Sequence, residues 1–383
     1  MPFYYKQGNI PPKRHTAFRN ESGGLYYEEL VSREGFSGIY SNLYHLNRPT
    51  KISKVGNSTS IKLERAETKH RARHITTSDL KGSGDAVSSR IPLFFNVDVT
   101  ISTALVTEPM KYCYRNGVAD ELFYVQAGKG EFQSNLGTLQ IEPGDYVVIP
   151  RGILWQLNPA EKIKLLITES TGSIETPNRY RNKFGQLLEH SPFCERDIHT
   201  PELQQPHENS GETRVLVKTV QGLQEYFYAH HPCDVIGWDG YYFPWKISIH
   251  DFEPIVGSIH QPPPVHQTFQ AQGFVVCSFV PRLFDFHPDA IPAPYPHFNV
   301  DSDEIIYYSR GNFMSRQGIQ EESITLHPMG LPHGPQPGKY SKSIGKKYTD
   351  ELAVMIDTFK PLHVTETAKN IDDSTYPLSW VEK

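Results

Sequence analysis

Apolar and polar residues alternate in short runs along most of this chain. The run ELFYVQA, from Glu121 to Ala127, alternates until Gly128 and Gly130 interrupt it, and the pattern resumes through SNLGTLQIEPGDYVVIPRGILWQL. A period of two, broken by Gly, Pro-Gly and Asp, marks antiparallel strands joined by tight turns. The same punctuation returns in EIIYYSRGNF and, after a polar turn, in SITLHPMGLPHGP. These are two distant copies of one unit, running from about Asn96 to Asn158 and from about Gly237 to Gly338. Short strands in such numbers suit double-sheet jelly rolls, so the expected fold is all-β with minor helices, arranged as two barrels.

Each copy places a glutamate at the same distance before a turn glycine: Glu121 before Gly128, and Glu304 before Gly311. On a strand, a residue so placed can face the barrel interior while the hairpin closes beyond it. The second copy adds His297 upstream and His333 downstream, inside PYPHFNVDSDE and LHPMGLPHGP. Two imidazoles and one carboxylate on a single face make an open Fe(II) site, with positions left for a substrate and O2. Asp303 competes with Glu304, but the spacing to the glycine selects Glu304 and alternation turns Asp303 away. Zinc and manganese accept the same donors, which keeps an isomerase or hydrolase as an alternative. The β context and the lack of an HExxH helix count against a zinc hydrolase. In the first copy Tyr114, Asn116 and Trp155 stand where imidazoles would be, so it reads as a structural barrel without metal ligands.

Composition narrows the setting. The 383 residues include 28 glycines and 30 prolines, and aromatics make up 12%. The net charge of −5, from 38 basic and 43 acidic residues, implies no polyanionic partner. The densest basic stretch, KLERAETKHRARH from Lys62 to His74, also holds two glutamates and reads as a solvated loop or strand face. The four cysteines are scattered with no CxxC, as expected for reduced thiols in a cytoplasmic protein. No run approaches the roughly 20 apolar residues of a membrane span, and no leader is recognisable, so neither membrane nor nucleic acid is an expected partner.

The Glu-to-Gly spacing, with a Pro shortly before a late His, resembles the cupin family. The strings CDVIGWDG, FVVCSFVPR, PYPHFNVDSDE and LPHGP, with RNGVADELFYV in the first half, look more narrowly like the homogentisate 1,2-dioxygenase family. That resemblance implies an Fe(II) enzyme that opens homogentisate with O2 to maleylacetoacetate. It further implies His297, Glu304 and His333 as iron ligands, His260 as the catalytic histidine and His327 as a second active-site histidine. It also implies a homo-oligomer, a trimer or hexamer. The chain departs from the family where Phe298 replaces an Arg after the first ligand and Phe313 replaces a Tyr, which weakens recognition of an acetate carboxylate. Phe298, Asn299, Phe313 and the compensating His266 are the expected substrate contacts. A dioxygenase for a different dihydroxyaromatic and a non-catalytic ligand-binding bicupin remain alternatives. Five regions are expected: packing strands at 1–95, the metal-free barrel core at 96–160, inter-barrel connections at 161–232, the metal barrel at 233–340, and a final strand with a polar tail at 341–383.

Overall fold

The computed structural model describes residues 3–207, 211–311, 313–316 and 318–381. Strands dominate, and the longest helical pieces are five residues, Lys339–Ser343 and Glu366–Asn370. Two seven-stranded sheets form the N-terminal, cupin-like barrel. One runs in the order Gly137–Ile141, Gly130–Ser134, Leu154–Pro159, Cys113–Asn116, Thr213–Thr219, Gly222–Tyr228, Ile52–Ser60. The other runs Trp245–Ser248, Asp145–Ile149, Asp120–Ala127, Ile163–Ser170, Val99–Val106, Ile91–Phe95, His363–Val364. The second barrel is built on a six-stranded sheet ordered Gln267–Ala271, Phe274–Phe279, Leu352–Thr358, Asp303–Arg310, Ser323–His327, Arg73–Thr76.

Local pattern and burial agree less well at the contact between the barrels. Asp120–Ala127 alternates in sequence, yet its first six residues are all buried. Its outward face is covered by the second barrel: the Tyr124 hydroxyl lies 2.7 Å from Ser309 Oγ, and Tyr124 meets the Tyr307 ring at 6.1 Å. Alongside, Tyr146 reaches Ser278 Oγ at 2.9 Å and packs edge-on against Phe269. Tyrosines suit this seam because the ring buries apolar area while the hydroxyl still finds a partner.

Several strands pair far from their neighbours in sequence. Trp245–Ser248 extends the first barrel by pairing with Asp145–Ile149, and Val235–Gly240 lies between Tyr5–Gly8 and Tyr40–His45 in a separate four-stranded sheet. Arg73–Thr76 joins the six-stranded sheet beside Ser323–His327. The end of the basic stretch is therefore not solvated: Arg73 is buried and pairs with Asp372. The stretch HTAFRNESGGLYYEELVSREGF contains the strand Tyr27–Ser32 and no helix. The segment after Ser170 wraps from one barrel to the other, bridging Glu175 to Gln270 and Glu202 to Thr138.

The tail after Lys360 packs on both barrels, with His363–Val364 pairing with Ile91–Phe95 of the first and the residues beyond reaching the second. Thr365 caps the helix Glu366–Asn370 by accepting from Ala368 N–H at 3.2 Å. Beyond it, Trp380 Nε1 donates to the Gly334 carbonyl at 3.0 Å. Its aromatic residues supply the apolar area that its polar composition obscures.

Candidate metal centre

Glu304 begins the site. It is the second residue of Asp303–Arg310, in the middle of the six-stranded sheet, and its side chain is buried. Asp303 faces the opposite side, as alternation requires, but that side is buried too. Its carboxylate accepts from Met329 N–H at 2.8 Å and from Leu362 N–H at 2.7 Å. Asp303 thus anchors two turns and leaves Glu304 as the carboxylate of the site.

His297 and His333 come from two irregular segments locked to each other. Each donates its backbone N–H to the other's carbonyl, at 2.8 and 2.7 Å. Each also ties Nδ1 to the carbonyl two residues earlier, Tyr295 O for His297 and Leu331 O for His333, both at 3.1 Å. An Nδ1–H so engaged leaves the Nε2 lone pair free to ligate. The two Nε2 atoms lie 3.8 and 3.6 Å from the Glu304 oxygens, and all three donor atoms are within 4.8 Å of one another. Buried His333 Nε2 has no hydrogen-bond partner. An orphaned lone pair, aimed at a carboxylate beside a second imidazole, is the arrangement a cation would complete.

Behind the triad, His327 stands opposite Glu304 in the ladder and stacks on the His333 ring at 4.5 Å. Its Nδ1–H donates to Glu304 Oε1 at 2.7 Å, and its Nε2 accepts from the Tyr376 hydroxyl at 3.2 Å. Burial acts to raise the Glu304 pKa, but the three imidazoles around it, with the His327 hydrogen bond among them, outweigh it and hold the carboxyl well below its usual range. Burial lowers the His327 pKa to about 4, so its imidazole stays neutral.

A cavity of about 450 Å³ opens over the triad. Phe298, Asn299 and Phe313 line it, together with His260 and His266, so five expected contacts share one wall system with the metal-type donors. His327 does not line it. His260 is half exposed at the edge, 3.7 Å from Asp285 Oδ2 and edge-on to Tyr295. His266 is buried, which lowers its pKa to about 3, and its Nδ1 lacks a partner. Sequence reading missed Arg282, Arg316 and Asp357. Both arginines line the cavity, and the only trace of Arg282 in the sequence was its place at the end of FVVCSFVPR.

Asp357 pairs with Glu304 across the ladder, as Glu169 pairs with Glu121 in the first barrel. The two carboxylate pairs are balanced differently. In the first barrel Arg90 donates to Glu121 Oε1 at 2.6 Å and Lys218 to Glu169 Oε1 at 2.6 Å. Asn116 and Trp155 also contact Glu121, at 3.3 and 3.2 Å, from the positions where ligands were absent in the sequence. In the second barrel no lysine or arginine among the described residues forms a salt bridge with Glu304 or Asp357. Burial and the Glu304 charge instead push the Asp357 carboxyl up to about 8. The first barrel carries fixed cations where the second presents metal-type donors.

Known proteins bear on this geometry. A family model described as the N-terminal part of homogentisate 1,2-dioxygenase matches residues 82–249. A Saccharolobus solfataricus protein named "Putative dioxygenase" is 46% identical over 384 residues, covering 99% of both chains. The chain belongs to the homogentisate 1,2-dioxygenase family. The homogentisate 1,2-dioxygenase of Nitrobacter hamburgensis is 28% identical over 277 residues, and the alignment covers 68% of this chain but only 60% of that enzyme. Among solved structures, a cupin 2 conserved barrel domain protein from Leptotrichia buccalis covers 79% of this chain at 11% identity, with a TM-score of 0.35. By its relatives this family member is a dioxygenase-type oxidoreductase. Among its described residues no helix is long and apolar enough to cross a membrane.

Proposed function

We propose that this protein is an Fe(II)-dependent, ring-cleaving dioxygenase that inserts both atoms of O2 into a hydroquinone-type aromatic acid, converting homogentisate to maleylacetoacetate. The observation that carries this reading is the convergence of His297, Glu304 and His333 at a cavity with aromatic walls. These three residues would hold the iron, which when bound supplies the redox chemistry that lets O2 react with an aromatic ring.

The chain's own residues do the rest. The Tyr295 and Leu331 carbonyls fix the orientation of the two imidazoles, and His327 holds Glu304 ionised and in place. His327 is therefore a positioning residue. A cavity of about 450 Å³ lies within the usual range for small-molecule sites, and Phe298 and Phe313 give it apolar walls for a ring. Holding the ring in one pose converts an encounter into an intramolecular step. His260 at the cavity edge takes the phenol proton and returns it later, with Asp285 steadying the charged ring. His266 and Asn299 offer neutral hydrogen-bonding groups.

The substrate carboxylate has a cation here despite Phe298. Arg282 lines the cavity, donates to the Val280 carbonyl at 3.0 Å and lies 3.5 Å from Glu351. A carboxylate from the ligand can compete for such a guanidinium through charge-assisted hydrogen bonds. The test is anaerobic reconstitution with Fe(II), followed by O2 uptake against a panel of dihydroxyaromatics with and without a carboxylate. One O2 consumed per homogentisate, with a ring-opened product, is expected; no uptake with any member of the panel would sink the reading.

A further inference from the structure

Away from the cavity, the described residues bring together one other set of metal-type donors. Cys113 opens the strand Cys113–Asn116 of the first barrel, while His231 and Cys233 lie just ahead of Val235–Gly240. Their donor atoms, two sulfurs and one ring nitrogen, lie within 4.8 Å of one another. Both cysteines are buried, and neither is in a disulfide.

We propose that Cys113, His231 and Cys233 form a second metal site, structural in role and selective for a soft divalent cation of the zinc class. Two thiolates and an imidazole are the donors that select zinc over the harder metals served by carboxylates. Apolar packing explains part of the cluster, since the cysteines lie against Leu154 and Val215 in a small core. It does not explain why a histidine is brought within ligand reach of both sulfurs.

That histidine is held by several contacts. Cys233 N–H donates to His231 Nδ1 at 3.2 Å, the lone pair that a metal would take over, and the His207 ring stacks on the His231 ring at 4.1 Å. His207 is fastened in turn, with its backbone N–H on the Cys233 carbonyl at 3.0 Å and its Nε2 3.0 Å from the Gln133 amide nitrogen. Zinc sites of this kind are four-coordinate, so a water would complete the set of three protein donors. Binding displaces the two thiol protons to solvent and leaves both sulfurs as thiolates on the metal.

The placement suggests what the site does. It clamps a strand of the first barrel to the start of Val235–Gly240, the strand that carries both Tyr5–Gly8 and Tyr40–His45. Closing so long a stretch of chain restricts the unfolded ensemble and stabilises the fold.

Metal analysis of the full chain, purified after supply of both iron and zinc, should find one zinc per chain that Cys113→Ser and Cys233→Ser each abolish without loss of iron. Because either variant could misfold, the unmodified chain provides a second readout. Replacing zinc with Co(II) should produce thiolate-to-cobalt charge-transfer absorption, which no donor of the His297, Glu304, His333 set can generate. Absence of that absorption would overturn the proposal. So would recovery of Cys113 and Cys233 as a disulfide, or as thiols that alkylate equally fast with and without zinc. None of these readouts depends on dioxygenase activity, so the second site can fail while the proposed reaction stands.

Discussion

His327 and Glu304 face each other across an antiparallel ladder and share a hydrogen bond of 2.7 Å. The bond commits the imidazole to the carboxylate and keeps it out of the cavity. His327→Ala should weaken Fe(II) binding by about 10–100-fold while leaving the three donors in the chain. Iron titration of the variant, with circular dichroism to confirm the fold, reads this directly. Unchanged iron affinity would show that Glu304 needs no such support.

Metal removal should be visible as stability. A metal that binds only the folded chain adds about 2.7 kcal/mol when present at about 100 times its Kd. Chelation should therefore lower the melting temperature of the parent protein, whereas His333→Ala should melt at one temperature with or without Fe(II). A parent melt indifferent to iron would argue against the triad as a metal site.

Arg90 and Glu121 form a buried ion pair at 2.6 Å, and removing one partner leaves the other charge without its principal counter-ion. Arg90→Met should cost about 3–5 kcal/mol in urea unfolding, and adding Glu121→Gln should recover part of it. A single variant as stable as the parent would mean that the pair contributes nothing.

Stability should fall on the alkaline side through His45. Burial opposes its charge, but hydrogen bonds to Asp234 and Glu29 prevail and raise its pKa from 6.5 to about 9. A raised folded pKa favours the protonated form, so the contribution is complete below about pH 6.5 and is lost as pH rises to about 9. The shift corresponds to roughly 3 kcal/mol at most. Unfolding measured from pH 6 to 10 should show this loss in the parent and not in His45→Gln; parallel curves would remove His45 as the cause.

Arg282→Met should separate acids from neutral rings. Loss of a charge-assisted contact is worth about 1.5–3 kcal/mol, roughly 10–100-fold in kcat/KM for a carboxylate-bearing substrate. Its effect on an unsubstituted hydroquinone should be small. Equal losses on both would point to a collapsed cavity wall instead.

The features legible in the sequence are those fixed by local spacing. Glu304 could be chosen over Asp303 because its distance to Gly311 repeats that of Glu121 to Gly128, and the ladder places Asp303 on the other face. Trp155 and Asn116 could be read as occupants of lost ligand positions for the same reason. Arg90 could not, because nothing in SSRIPLF distinguishes a buried counter-cation from a surface arginine. Arg73–Thr76 and Trp245–Ser248 likewise pair with strands far away in sequence, and long-range packing, not local alternation, decides such partners. Cys113, His231 and Cys233 were invisible as a group because a fold, not a spacing, gathers them.

Arg90 also separates the two halves in their dependence on the cell. The first barrel neutralises Glu121 with a charge encoded in its own chain, present from the moment of synthesis. The second offers Glu304 and two imidazoles to whatever cation the surroundings supply. A shortage of iron would therefore leave the charge balance around Glu121 untouched. Only the balance around Glu304 is then set by the metal supply.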